Sequence, residues 1–264
     1  MRMDKSIKFL EQLQIGQKCI ILGCSGGPDS MCLLDLLCRH NYRIICAHVN
    51  HNIRKESADE YLFMKQYCEE RGIIFEGLEL EKKQKQSESY YREKRYTFYK
   101  ELAQKYDTPY IMTAHHGDDL METILMRLTR GSYLKGYAGF TKCYREKKLI
   151  FAKPLIFYTK EEIEEYVKEN EIPFVLDATN LQDDYTRNRF RHRMLPFLKE
   201  ENREAHLKFL KYSEEIELYR EPSRAGMYKV FERTESNRFD TFPKRRKLHA
   251  KKNSGAPIEK DLWR

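Results

Sequence analysis

Residues 24–30, "CSGGPDS", set two serines, a glycine pair, a proline and an aspartate between the apolar run "KCIILG" and a second one that begins at Met31. A glycine-rich turn between a strand and a helix aims backbone N–H groups and the helix dipole at an anion, most often phosphate. An ordinary strand-to-helix turn can also carry a glycine pair. The loop does not follow the pattern of glycine, four residues, glycine, lysine and then serine or threonine, so it lacks the lysine that gathers charge on β- and γ-phosphates. Asp29 occupies the first helical turn instead, where it would repel a bare phosphate. A hard cation such as Mg2+ reconciles the two, because it takes carboxylate and phosphate oxygens together. Ser25 and Ser30 add hydroxyl groups. A loop of this composition suits the retention of a leaving pyrophosphate while the α-phosphorus is attacked.

A second cluster follows another apolar run. "TAHHGDDLMET" (113–123) carries His115, His116, Asp118, Asp119 and Glu122. Asp118 or Asp119 can share a helix face with Glu122 at a spacing of three to four, and the same carboxylates can equally cap a helix start. The histidine–aspartate spacing raises zinc, but no thiolate or third histidine stands at a suitable distance along the chain. Arg92 and Arg95 lie three apart on a helical pattern, so both can face one ligand or simply line a solvated face. "YTRNRFRHRM" alternates Arg187, Arg189, Arg191 and Arg193 around Asn188. On a helix 187 and 191 share one face and 189 and 193 another, an arrangement that suits RNA contacts or solvent. His48, Asn50 and His51 end a β-branched run beside the first loop, where strand-end hydrogen bonding or nucleotide contact would each use them.

The elements that must position these groups are legible as an alternation. "KCIILG", "RIICAHVN", "GIIFEGLEL" and "PYIMTAHH" read as strands, separated or followed by helical patterns at 29–40, 57–71, 88–106 and 117–129. That order predicts an α/β, Rossmann-like parallel sheet covered on both faces, with its ligands beyond the carboxyl ends of the strands. A connecting segment rich in Gly and Lys (131–148) leads to "LIFAKPLIF", read as one more strand. Thr159 with Glu162 predicts a capping-box start for the helix "KEEIEEYVKEN". From Tyr185 to about Tyr219 the pattern is helical, with breaks expected at Pro196 and near Glu201–Asn202. The expected organisation is a core over 1–150, a mainly helical segment over 151–220 and a basic, flexible tail over 221–264.

A chain of 264 residues can bury a sizeable core. Its 41% hydrophobic content includes no run near the roughly 20 apolar residues of a membrane span. The start, with Ile7, Leu10 and Leu13 at helical spacing, lacks the continuous apolar region of a signal peptide. A soluble, cytoplasmic protein without a membrane partner is expected, with its oligomeric state open and a homodimer among the options. Seven cysteines include no C-x-x-C pair and read as free, mostly buried thiols. The net charge of +8 is concentrated after residue 218, where 13 basic and 6 acidic residues give +7. That tail is either a solubilising terminus or an electrostatic arm for a polyanion such as RNA.

The loop "SGGPDS" resembles the pyrophosphate-binding loop of the N-type ATP-pyrophosphatases, the PP-loop family, whose fold is of the adenine nucleotide alpha hydrolase-like kind. Four further stretches resemble its tRNA(Ile)-lysidine synthase branch: "AHVNHNIRKES", "YYREKRYTFYKELA", "TAHHGDDLMETILMRLTRGSYLKGYAG" and "LDATNLQDDYTRNRFRHRMLPFL". Together they cover about residues 18–200 in the family's order. The resemblance implies a ligase that uses ATP and Mg2+ to join free L-lysine to C2 of the wobble cytidine in the isoleucine tRNA with a CAU anticodon. It implies that Ser25, Gly26, Gly27, Pro28, Asp29 and Ser30 hold the ATP phosphates, with Asp29 placing Mg2+. It places His115 near ATP and the reacting base, Asp119 and Glu122 on the lysine ammonium, Arg95 toward phosphate, and Arg189 with its neighbours on the activated base. Lys153 departs from the family, which usually has arginine before Pro-Leu. The tail after about residue 220 matches no family pattern, so an RNA-binding remnant without turnover is a competing expectation. A related tRNA thiolase is another, disfavoured by the lack of a C-x-x-C pair.

Overall fold

The computed structural model describes residues 2–52, 57–80, 87–175 and 186–219. Three expectations fall wholly or partly outside them: the basic tail, and the portions of two family-like stretches at 53–56 and 176–185. Helix α1 (Asp4–Gln12) precedes four strand–helix units: β1 (Ile20–Gly23) with α2 (Pro28–Arg39), β2 (Ile44–Asn50) with α3 (Ser57–Glu70), β3 (Ile74–Glu79) with α4 (Glu88–Lys105), and β4 (Tyr110–Thr113) with α5 (Gly117–Arg130). These agree with the strands and helices expected from the alternation.

The strands form one six-stranded sheet in the order β3-β2-β1-β4-β6-β5, where β5 is Cys143–Glu146 and β6 is Leu149–Ala152. β1 runs parallel to β2 on one side and to β4 on the other, with Gly23 opposite Ala47 and Thr113. The chain order therefore reverses between β1 and β4, and in sheets of this kind the ligand crevice lies beyond the carboxyl ends of the two strands at such a reversal. Side chains along β1 alternate between two cores. Ile20 and Leu22 pack with residues of α1, α2, α3 and α7 (Lys160–Glu169), whereas Ile21 packs with Phe98, Tyr99 and Leu102 of α4. Because β1 is buried on both faces, a slip by one residue would exchange both sets at once.

Three expectations need correction. The segment 131–148 is more than a connection: it holds a short helix, α6 (Leu134–Tyr137), and the edge strand β5, which pairs antiparallel with β6. The sheet is thus mostly, not wholly, parallel. The strand begun by "LIFA" stops at Ala152, because Pro154 has no N–H to donate, and Pro154–Phe157 forms a 3-10 turn. Pro196 does not break its helix. It sits in the first turn of α9 (Leu195–Glu201), and the accommodation comes earlier, as a π-turn over Phe190–Met194 that follows α8 (Thr186–Arg189). There the Leu195 N–H donates to the Phe190 carbonyl. The break near Asn202 is present, and α10 (Ala205–Leu218) follows it. The division expected at residue 150 falls within β6, which pairs with β4.

Helix α5 carries the second cluster of titratable groups and is fixed at its first residue. Gly117 N–H donates to the Tyr158 carbonyl at 2.8 Å. A Cβ at Gly117 would lie 2.9 Å from that carbonyl oxygen and from His206 Cβ of α10. Gly117→Ala is expected to lower the unfolding free energy by about 1–3 kcal/mol, measured as a lower urea midpoint; an unchanged midpoint would show that the start of α5 has room to give.

Candidate active site at the end of the parallel strands

The loop after β1 turns sharply at Gly26, whose φ of +89° lies in the left-handed region that favours glycine. Its amide meets Ser30 Oγ at 3.2 Å, Ser30 Oγ donates to the Gly27 carbonyl at 2.9 Å, and the Gly26 carbonyl accepts from Val175 N–H at 2.9 Å. Gly27 is extended and Pro28 opens α2, where a missing N–H costs nothing. The loop's own amides rest on its serines, Gly26 N–H on Ser30 and Gly27 N–H on Ser25 Oγ at 3.4 Å, so the start of α2 brings two hydroxyls, short-range amides and Asp29 together. This fits an oxyanion group. Asp29 also fits a cation, since one already sits on it: Lys160 Nζ donates to Asp29 Oδ1 at 2.6 Å from the first position of α7. The expected capping box is what starts α7, with Thr159 N–H on Glu162 Oε2 at 2.7 Å and Glu162 N–H on Thr159 Oγ1 at 3.3 Å.

Across the crevice, α5 begins with three acidic side chains that the fold sends in three directions. Asp118 is buried and accepts from Lys160 N–H at 3.0 Å and from Lys199 Nζ at 2.6 Å, so it ties α5 to α7 and α9. Asp119 accepts from the His116 N–H at 3.1 Å, a capping contact, and lies 3.5 Å from His116 Nε2. Burial works against its charge, but His116 and His115 outweigh it and hold Asp119 at about 2. Glu122, wholly buried, takes Arg191 Nε at 2.7 Å and Arg191 NH2 at 3.3 Å as a two-pronged pair, with Arg187 Nε at 3.3 Å. Burial nonetheless raises the Glu122 carboxyl above its usual range. Arg187 and Arg191 thus do share a face.

His116 Nε2 stands 3.9 Å from Asp29 Oδ2, so the β1 and β4 loops meet at that aspartate. His115 pairs Nδ1 with Thr113 Oγ1 at 2.9 Å and sets its ring edge-on to Phe140. Burial, opposed by Asp119 and reinforced by Lys153, Arg92 and Arg95, pushes His115 down to about 4. Burial and then Arg95 do the same to His51, also to about 4. Arg95 is half-buried, and its charge acts on both histidines. His48 Nδ1 meets the Cys24 carbonyl at 3.0 Å and Asn50 Oδ1 accepts from Asn52 N–H at 2.9 Å, both strand-end contacts. Lys153 is buried between the rings of Phe140 and Tyr144, with its ammonium donating to the Thr141 carbonyl at 3.2 Å. Burial lowers it to about 8.

The fold thus brings Ser25 through Ser30, His115, His116 and Asp119 to the ends of β1 and β4, with Glu122 one turn into α5 and wholly buried against Arg191. Arg189 is exposed on α8, one residue beyond the buried Asn188. Lys160 and Lys199 were missed as site neighbours. The available signal was a lysine in the first turn of α7, where the positive end of the helix dipole disfavours it.

The sequence profile of the PP-loop domain family matches residues 2–198. The tRNA(Ile)-lysidine synthase of Bacillus subtilis (strain 168) is 39% identical over 225 residues, which is 80% of this chain and 48% of that protein. The tRNA(Ile)-lysidine synthase of Bacillus cereus (strain ATCC 10987 / NRS 248) is 41% identical over 209 residues, 75% of this chain and 44% of that one. The chain spans about half the length of the curated relatives it matches. Among solved structures, the U34-tRNA thiolase NcsA from Methanococcus maripaludis with its 4Fe-4S cluster superposes with a TM-score of 0.66 at 17% identity, over 81% of this chain and 80% of that one. At that identity the likeness concerns the fold alone.

Two outcomes follow from the charge arrangement. Arg191→Met strips the shorter contacts from a buried carboxylate and should cost about 3 kcal/mol; Arg187→Met should cost less, and equal losses in urea unfolding would show that the two arginines are interchangeable. The second concerns acid. His51 and His115 hold protons only near pH 4 when folded, against an ordinary value of 6.5, so protons favour the unfolded chain between those limits. Stability should fall as pH drops from 6.5 toward 4, by up to about 1.4 kcal/mol per pH unit for the deeply buried His115 and by less for the more solvent-screened His51. Urea midpoints at pH 7, 6 and 5 measure it, and His115→Gln should flatten the slope.

Proposed function

The chain belongs to the PP-loop domain family, and from that premise we propose that it uses ATP to join free L-lysine to C2 of the wobble cytidine of the isoleucine tRNA with a CAU anticodon. The observation that carries this reading is the loop at the β1–β4 reversal, where amides, two hydroxyls and Asp29 converge without a loop lysine. Such a set suits a phosphate chain held together with a hard cation on Asp29, as adenylation with release of pyrophosphate requires. The similarity to lysidine synthases over most of the described residues supports the RNA and amino-acid halves of the reaction.

In this proposal Ser25, Gly26, Gly27, Pro28, Asp29 and Ser30 bind the triphosphate. Mg2+ supplies charge neutralisation there when bound, and Asp29 is its ligand from this chain. The cytidine O2 attacks the α-phosphorus and pyrophosphate leaves; the lysine amine then adds at C2, AMP leaves with O2, and the amine gives up a proton. His115, neutral at pH 7, orients the base by hydrogen bonding rather than by carrying charge. Asp119 and Glu122 draw the lysine ammonium. Arg187 and Arg191 neutralise those carboxylates beforehand, so lysine enters in exchange for arginine charge. Arg95 faces phosphate, and Arg189 with Asn188 positions the activated base. Residues 1–150 serve nucleotide activation, 151–220 the RNA, and the basic residues of 221–264 add electrostatic affinity for it.

The test incubates the full chain with ATP, Mg2+, radiolabelled lysine and isoleucine tRNA bearing a CAU anticodon. Lysine should enter the tRNA with equal amounts of AMP and pyrophosphate formed. Binding of tRNA with neither product would establish the non-catalytic alternative. Asp29→Ala should abolish pyrophosphate release in the presence of tRNA, and unchanged release would remove Asp29 from the metal role.

A further inference from the structure

The loop that lacks a lysine in sequence has one in space. Lys160 is 131 residues from Asp29 along the chain, yet its ammonium sits 2.6 Å from Asp29 Oδ1 at the mouth of α2. Its position is unfavourable for α7 itself, because a cation in a first turn opposes the helix dipole. It is nevertheless held firmly by its backbone. Lys160 N–H is bound to the buried Asp118, Asp118 is bound again by Lys199, and the capping box closes the turn around it. The anchor is rigid while the four-carbon stem and ammonium are partly exposed at the crevice. Glu164, one turn on, lies 3.8 Å from the same nitrogen, so the ammonium has a second carboxylate within reach and leans to Asp29.

We propose that Lys160 is the cation of the nucleotide loop, delivered from α7. Without nucleotide it neutralises Asp29; when Mg2+ takes that carboxylate, the ammonium turns to the phosphate oxygens. This rests on the reading that the loop binds ATP. Electrostatics favour the exchange: a dication and an ammonium compete for one carboxylate, whereas the phosphate chain brings several negative oxygens to the same mouth. Several phosphate oxygens outweigh one carboxylate already shared with a dication, and that difference redirects a flexible side chain.

The experiment measures binding of a non-hydrolysable ATP analogue, α,β-methylene-ATP, to the full chain by calorimetry at several Mg2+ concentrations. Lys160→Met should weaken the analogue at least about tenfold, the size of one charge-assisted hydrogen bond. It should also lower the Mg2+ concentration needed for half-saturation, because Asp29 is released. Lys160→Arg should restore most of the nucleotide affinity. If Lys160 only props Asp29 in place, Lys160→Met will bind the analogue as tightly as the unaltered chain while melting earlier, and the proposal falls. Should Lys160→Met fail to fold, the Lys160 13Cε resonance of the unaltered chain decides: it must shift on saturation with analogue and Mg2+, and a resonance that stays put overturns the proposal. Failure of the unaltered chain to bind the analogue at all would instead overturn the ATP reading, and this inference with it.

Discussion

The parallel pairing of β4 directly onto β1 is the constraint from which the site follows. Gly23 lies opposite Thr113, so the two strands end together and the loops that leave them start side by side. One becomes the glycine loop and α2; the other becomes the His115–His116 turn and α5. Both helices therefore present their positive ends to one crevice, which suits an anion, and the carboxylates of their first turns meet cations there rather than each other. If β4 were placed elsewhere in the sheet, the same residues would stand at separate edges.

Charge balance is the second organising feature. Three carboxylates at the start of α5 would repel one another if they shared a pocket, and the fold separates their duties. Asp118 takes the Lys199 ammonium of α9 and the Lys160 backbone N–H of α7, Asp119 caps its own helix, and Glu122 takes the arginines of α8 and the π-turn. Buried ion pairs of this kind seldom add net stability over apolar packing. Here they tie α5 to α7, α8, the π-turn and α9 at one end of the sheet. The π-turn belongs to the same logic, since it lies in the arginine-rich stretch and sets Arg191 onto Glu122.

What could be read in the sequence was what is local. The β-branched runs around Ile20, Ile44, Ile74 and Tyr110 specify strands, and Thr159 with Glu162 specifies a helix start, because each signal is complete within a few residues. The loop's glycine pair between a strand and a helix likewise identifies the turn that opens α2 without knowledge of the fold. β5 escaped notice because "CYRE" is a half-exposed edge strand with little apolar alternation. The Pro196 break was misplaced because proline reports a missing N–H, and the chain met that need with a wider turn upstream. The Asp29–Lys160 and Glu122–Arg191 pairs are long-range outcomes of packing, and no local pattern encodes them.

The bond from Val175 N–H to the Gly26 carbonyl has a bearing on how the protein is made. A loop near the beginning of the chain receives part of its shape from a residue that is synthesised much later, and from Lys160 only slightly earlier. At about 5–20 residues per second of translation, roughly 7–30 s separate the emergence of Gly26 from that of Val175. During that interval β1 and α2 can assemble with β2 and β3, but the glycine loop has neither its final backbone contact nor the Lys160 ammonium on Asp29. The sheet of a nascent chain can thus form before this loop takes its final shape, which waits until almost the whole α/β unit exists.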